Sequence, residues 1–230
     1  LRLSVTDRCD LRCRYCMPDG IVSCAHEEVL TYEEFLRLAA LFAACGVDTV
    51  RVTGGEPLVR RGVEQLVAGL KATPGIQKVV MTTNGVHLAQ KLPALLDAGL
   101  DGVNISLDAL SPEVFARITA RDELSAVLAG LDAALNSGLP IKLNCVPQVG
   151  INETELEPLA ALAQDRPLQV RFIEMMPIGY GAAMPCLSGP ELLARFQRRW
   201  PDLVRLSPAQ SASLGDGPAV YYTVPGWAGS

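Results

Sequence analysis

Six short runs of β-branched and apolar residues alternate with helix-like stretches along this chain, and that alternation leaves it few folds to choose from. The runs are Leu1–Thr6, Thr49–Thr53, Lys78–Thr83, Gly102–Leu107, Ile141–Val146 and Gln169–Ile173. Between them, Thr31 and Glu34 form a capping box for a helix running to about Cys45, with Gly46 as its stop. Further helices are predicted over Arg61–Ala72, Leu88–Ala98, Ser111–Ile118, Ser125–Asn136, Glu153–Gln164 with Asn152 as N-cap, and Ser188–Trp200. Strands separated by helices run parallel, with right-handed crossovers. The strand runs read as apolar on both faces, as strands covered by helices and by a filled interior would be. The expected fold class is therefore α/β: a partial (βα)6 TIM-like barrel, open on one side, with ligands at the C-terminal ends of the strands.

Length and composition agree with a globular enzyme. In 230 residues, 49% are hydrophobic and 20% are charged, which supplies a core and excludes disorder. A net charge of −5 excludes a broad nucleic-acid face but leaves room for a local phosphate pocket. No long apolar run and no signal-peptide pattern is present, so neither a membrane nor a nucleic acid is an expected partner, and the expected location is cytoplasmic. The chain begins at Leu1, directly in a strand. Residues 1–200 are expected to form the barrel and 201–230 the start of a truncated C-terminal region. The strand-like piece Val220–Val224 has no obvious partner, and the tail after Leu206 reads as a surface loop.

Among seven cysteines, Cys9, Cys13 and Cys16 stand out, spaced C-x3-C-x2-C just after the first strand. In a reducing compartment such clustering favours metal over disulfides. Three thiolates can hold three corners of an iron–sulfur cluster, and the missing fourth leaves one iron open. The competing reading is a structural zinc site completed by Cys24 or His26, in a non-catalytic module. Every strand also ends in polar or glycine-rich residues: Thr53-Gly54-Gly55-Glu56-Pro57, Thr82-Thr83-Asn84-Gly85, Asn104-Ile105-Ser106-Leu107-Asp108, Lys142-Leu143-Asn144 and Glu174-Met175-Met176-Pro177. On a barrel these gather at one rim.

The cysteine spacing, with Tyr15 before its last Cys, and the Gly-Gly-Glu-Pro after the second strand resemble the radical S-adenosylmethionine (SAM) superfamily. The stretches Leu-Arg-Leu-Ser-Val-Thr-Asp-Arg-Cys, Arg-Cys-Arg-Tyr-Cys-Met-Pro, Arg-Val-Thr-Gly-Gly-Glu-Pro-Leu-Val-Arg-Arg, Asn-Ile-Ser-Leu-Asp-Ala and Arg-Phe-Ile-Glu-Met-Met-Pro are similar to the GTP 3′,8-cyclase family of molybdenum cofactor biosynthesis, in order and over nearly the whole chain. The resemblance implies a radical SAM lyase of the partial-barrel type. Cys9, Cys13 and Cys16 would carry a 4Fe–4S cluster whose open iron chelates SAM. Reductive cleavage of SAM would give methionine and a 5′-deoxyadenosyl radical, which takes hydrogen from the ribose C3′ of GTP so that C3′ closes on C8 of guanine. It assigns Tyr15, Gly55, Ser106 and Met176 to SAM, and Arg2, Arg51, Thr82 and Lys142 to GTP. It also implies a reductase or electron donor, a downstream cyclic pyranopterin monophosphate synthase that handles the product, and a homodimer as a compatible assembly. Another radical SAM enzyme, such as a peptide-modifying one, is the runner-up.

One departure is plain. The family carries a second, C-terminal 4Fe–4S cluster on a C-x2-C and a later Cys, and Cys24, Cys45, Cys145 and Cys186 match no such spacing. The expectation is that this stretch binds SAM without turning over GTP. Other residues have plainer readings. Cys45 and Cys145 are expected to be buried thiols, and Cys24 and Cys186 loop residues without function. His26 and His87 read as surface or capping residues. Lys142 in an apolar strand is costly unless its head reaches a pocket or solvent. Glu56 would either bond SAM or brace its loop. Arg60 and Arg61 would either flank a solvated helix start or join an anion pocket. Asp108, followed by Ser111-Pro112, reads as turn chemistry.

Overall fold

A computed structural model describes residues 1–20, 24–25, 28–215 and 217–230. Six strands lie side by side in chain order, all parallel: β1 (Arg2–Ser4), β2 (Thr49–Thr53), β3 (Lys78–Thr83), β4 (Gly102–Ser106), β5 (Ile141–Cys145) and β6 (Leu168–Phe172). The helices between them are α1 (Tyr32–Ala44), α2 (Val63–Ala72), α3 (Leu88–Asp97), the pair α4 (Pro112–Thr119) and α5 (Leu124–Asn136), and α6 (Leu156–Asp165). After β6 come α7 (Gly189–Arg199), β7 (Val204–Arg205), the short α8 (Pro208–Ser211) and β8 (Tyr222–Thr223). The partial barrel expected from the sequence is thus present.

Local chemistry sets the element ends. The Thr31–Glu34 capping box forms with both reciprocal bonds, and it launches α1. α2 starts later than expected, at Val63, because Pro57–Val59 make a separate 3₁₀ turn and Gly62 takes a left-handed conformation at φ 77°. The helix expected over Glu153–Gln164 divides into a 3₁₀ turn, Glu153–Glu155, and then α6. Val220–Val224 does have a partner: β8 pairs antiparallel with β7. Nor is the tail a plain surface loop. It carries α8, and its end lies on the β6 edge, where Ser230 N–H donates to Leu168 O at 3.1 Å and Ser230 O accepts from Val170 N at 2.7 Å.

The strands are two-sided. Leu3, Val5, Val50, Val52, Val79, Met81, Val103, Ile105, Ile141 and Leu143 are buried on the helix side, under Leu66, Leu70, Leu88, Leu95, Leu131 and Leu159. The alternate residues form the concave face. Register aligns Arg2 with Arg51, Thr82 with Asn104, Lys142 and Gln169, and Ser106 with Asn144 and Arg171. The expectation of strands apolar on both faces therefore fails. With six strands there is no closed interior to fill, so the inner face is polar.

Two buried side chains tie the strand ends together. Glu56, fully buried, accepts from Leu58 N at 2.9 Å, Thr83 Oγ1 at 2.8 Å and Asn84 N at 2.6 Å. It is a brace between the β2 and β3 loops. Asn152, also fully buried, does not cap the following turn. Its Oδ1 accepts from Gln148 N at 2.8 Å, and its Nδ2 donates to Asp108 O at 2.9 Å and Val146 O at 3.1 Å. Replacing Asn152 by Ala leaves a buried N–H and two carbonyls unpaired, a cost of about 2–4 kcal/mol. The denaturation midpoint of N152A should fall accordingly; an unchanged midpoint would remove Asn152 from this role.

Burial pushes the Glu56 carboxyl up to about 7 from the usual 4.5, against the three hydrogen bonds that lower it. The folded chain thus holds this proton more tightly than the unfolded chain does. The resulting stability is present below pH 4.5 and is lost as pH rises through about 7. Denaturation across that window should show stability falling with pH in the wild type. In Glu56→Gln the slope should flatten, at the cost of lower stability overall, because the amide NH2 faces a backbone donor.

Candidate active site

The cysteine loop is held against the sheet along its length by backbone bonds. Gly55 N donates to Thr6 O at 2.7 Å and Glu56 N to Arg8 O at 2.8 Å, so the Gly-Gly-Glu segment pairs with the residues leading into Cys9. Gly54 has φ 151°, and a Cβ there would sit 2.6 Å from Thr6 O; one on Gly55 would strike Arg8 O. The two glycines are thus required by the approach of the cysteine loop itself. Further on, Arg12 N donates to Thr119 O and Arg14 N to Ile118 O, both at 2.9 Å, which zips the loop to the end of α4. Cys16 N and Met17 N then donate to Cys13 O, closing a tight turn.

All three thiols of this loop are unpaired. Burial pushes each of them up, and Cys13 most strongly, with the charges of Asp108, Cys9 and Cys16 adding to the effect. Burial thus favours the neutral thiol at each position, and a bound cation would offset that by deprotonating its ligands. Three thiols within one loop, none of them in a disulfide, are a donor set that fits three corners of a cubic cluster. His26 lies outside the described residues.

Side chains at the strand ends hold the loop in place. Asn84, positioned by Glu56, donates from Nδ2 to Asp10 Oδ1 at 2.6 Å and sits 3.9 Å from Cys9 Sγ. His87 occupies the N-cap position of α3 without a capping bond; its Nε2 lies 3.1 Å from Asp10 Oδ2, off hydrogen-bond angle but within ion-pair reach. Asp108 is not a turn residue. Buried at the end of β4, it accepts from Tyr15 Oη at 2.7 Å and from Val146 N at 2.8 Å. Burial raises its carboxyl to about 6, while both hydrogen bonds pull it down. Arg60 joins no anion pocket: its guanidinium donates to Val5 O and Leu30 O and stacks over Tyr32 at 4.3 Å.

The residues singled out from sequence divide into three groups. Cys9, Cys13, Tyr15 and Cys16 share one loop, with Gly55 bonded to its entry and Ser106 at the adjacent end of β4. Arg2, Arg51, Thr82 and Lys142 lie on the concave face. Met176 stands apart in the loop after β6, 64% exposed. Sequence reasoning missed Arg171, whose guanidinium is held on Asn144 Oδ1 at 2.7 and 3.0 Å. The alternation Gln-Val-Arg-Phe places it on the polar face and could have revealed it. Burial lowers the basicity of both Arg51 and Arg171; the charges of Arg171 and Arg2 lower Arg51 further, and for Arg171 Tyr221 opposes the shift while Arg2 adds to it. Turning the Asn104 amide over points its oxygen at Arg51 and Arg171 together. Among the described residues no carboxylate pairs with these three arginines. Lys142 Nζ reaches the tail, at Leu214 O and at Tyr221 Oη 3.5 Å away. Cys145 is buried as expected, but Cys45 is exposed, because it caps the C-terminus of α1 beyond its buried face.

A family model described as the radical SAM superfamily matches residues 3–163. GTP 3′,8-cyclase of Moorella thermoacetica is 44% identical over the whole of this chain, which spans 71% of that protein. Molybdenum cofactor biosynthesis protein 1 of Bos taurus is 42% identical, again over the whole chain, which spans 36% of it. In fold, the chain is similar to Streptococcus suis SuiB bound to S-adenosylmethionine, with a TM-score of 0.68 and 15% identity, covering 87% of this chain and 46% of that one. It is also similar to methylornithine synthase, with a TM-score of 0.61 and 16% identity over 76% of this chain and 52% of that one. Set beside the cysteine loop and the partial barrel, these similarities place the chain in the radical SAM superfamily and, within it, in the GTP 3′,8-cyclase family.

Proposed function

We propose that this chain is the SAM-cleaving part of the enzyme of the first step of molybdenum cofactor biosynthesis, which cyclises GTP to 3′,8-cyclo-7,8-dihydroguanosine triphosphate by radical SAM chemistry. One observation carries the substrate: three arginines with no carboxylate partner among the described residues stand on the concave face below the cysteine loop. Like charges held together in a half-buried site favour an anion there, and a triphosphate is the anion that the relatives' name supplies. Cys9, Cys13 and Cys16 would hold a 4Fe–4S cluster. Bound together, such a cluster and SAM would supply reductive radical chemistry directed at the ribose of GTP.

The remaining work belongs to the chain. Gly54 and Gly55 let the β2 loop lie on the cysteine loop, leaving backbone at the rim for SAM, with Tyr15 and Ser106 beside it. Arg2, Arg51 and Arg171 offer forked donors for phosphate oxygens, and Lys142 adds a further cation. Asn144 and Asn104 pre-orient the guanidiniums, so less freedom is lost on binding. Thr82 presents a hydroxyl in the same row. The exposed Met176 gives the rim an apolar edge. Among the described residues no helix is long and apolar enough to cross a membrane, and a cytoplasmic site of action with a reductase as electron source belongs to this reading.

Anaerobic reconstitution of the chain should give an iron–sulfur absorbance and an electron paramagnetic resonance signal that changes on adding SAM. Replacing Cys9, Cys13 and Cys16 together by Ala should abolish both; one zinc and no sulfide in the wild type would overturn the reading. Arg51→Ala should weaken GTP binding by about tenfold or more, the loss of a charge-assisted hydrogen bond worth about 1.5–3 kcal/mol. The same titration at higher salt should weaken the wild type more than the variant. Equal affinities would point to another substrate.

A further inference from the structure

Among the described residues, Asp108 is the one buried carboxylate at the rim that touches the cysteine loop through a side chain of the loop itself. Its Oδ2 takes the Tyr15 hydroxyl at 2.7 Å and its Oδ1 takes Val146 N–H at 2.8 Å. Its own carbonyl is held by Asn152 at 2.9 Å, so the carboxylate cannot follow the loop if the loop moves. Leu107 N also donates to Asn144 O at 2.9 Å, fixing the β4 end on the β5 end.

The Cys13–Cys16 turn needs such an anchor. Its outer edge is zipped to α4 by Arg12 N and Arg14 N, and two bonds along one line leave a turn free to tilt about that line. The Tyr15–Asp108 contact ties the same turn to a different element, the end of β4, and so opposes the tilt. We propose that Asp108 is a positioning residue of the SAM site, which through the Tyr15 hydroxyl holds Cys13 and Cys16 in register with Ser106 and the ends of β4 and β5. The contact is direct, part-buried and charge-assisted, the class of hydrogen bond that holds geometry best. Small misplacements of such a set are felt strongly at the reacting end. This inference rests on membership of the radical SAM superfamily and not on GTP.

The test uses the whole 230-residue chain, reconstituted without oxygen, in four forms: wild type, Tyr15→Phe, Asp108→Asn and the double variant. SAM is titrated against each, followed by the change in the cluster's electron paramagnetic resonance spectrum. Iron content should match the wild type throughout, since the three thiols are untouched. Each single variant should bind SAM about tenfold more weakly, the loss of one charge-assisted hydrogen bond, with an altered SAM-bound spectrum. The double variant should be no weaker than Asp108→Asn alone, because both changes break one bond. SAM affinity and spectrum unchanged in Tyr15→Phe would overturn the proposal, as would losses that multiply in the double variant. If Asp108→Asn fails to fold, Tyr15→Phe decides by itself, since it removes a single hydroxyl. A wild type that binds SAM but not GTP would remove the cyclase reading and leave this test standing.

Discussion

Six parallel strands curve without closing, and the consequence is a sheet with one dry face and one wet one. A closed eight-stranded barrel packs its interior with branched side chains. Here the helix side alone is packed, by Val50, Val52, Met81, Ile105 and Leu143. The concave side is free to carry Arg2, Arg51, Asn104, Lys142, Asn144 and Arg171. Placing several cations on one surface is unfavourable by itself, and Arg51 and Arg171 register this as lowered basicity. The cost is tolerated because the outer face holds the strands in place whatever the inner face carries. Stability and binding are thus assigned to opposite sides of the same residues' backbone.

The rim follows a second rule. Irregular backbone has no ladder to satisfy it, so buried polar side chains must take its bonds. Glu56 takes two backbone N–H groups and a hydroxyl, Asp108 takes one N–H and a phenol, and Asn152 takes one N–H and serves two carbonyls. Each crosses from one strand end to another. The cysteine loop inherits its position from these crossings: its entry from the Gly-Gly-Glu pairing and Asn84, its turn from Tyr15. A loop free to fluctuate could not present three thiols in fixed register, so the buried carboxylates, though expensive to desolvate, are what convert a surface loop into a site.

Much of this was legible in the sequence, and the limits have physical causes. Strand and helix order followed from periodicity, and the cysteine and glycine motifs from spacing, because both are local properties of the chain. The polarity of the inner face was overlooked although the alternation in Arg51, Lys142, Asn144 and Arg171 spelled it out. Composition averaged over a strand hides which face each residue takes. Asp108 and Glu56 could not be resolved from sequence, since their partners are tens of residues away: Tyr15 lies 93 positions from Asp108, and Thr83 27 from Glu56. Cys45 read as buried because its helix is apolar, yet α1 exposes Leu41 and Phe42 as well, and burial belongs to the face rather than to the helix. Arg60 was read as a candidate for anions, but stacking on Tyr32 satisfied it locally.

The tail bears on the concave face from below. Tyr221, buried, donates its hydroxyl to Leu214 O at 3.2 Å, and Lys142 Nζ reaches the same two groups. Lys142 lies in the Thr82–Asn104–Gln169 row, one layer toward the N-terminal ends of the strands from the row of Ser106, Asn144 and Arg171. Arg2 and Arg51 stand one layer deeper again, level with Val80 and Gly102, so a ligand entering from the rim meets Arg171 first, Lys142 next and the other two arginines last. A long, flexible anion with charge at one end would place that end deepest and leave its neutral part near the cysteine loop. In the proposed function, the layering of cations below and thiols above would orient such a substrate by charge alone, before any contact with its neutral part is made.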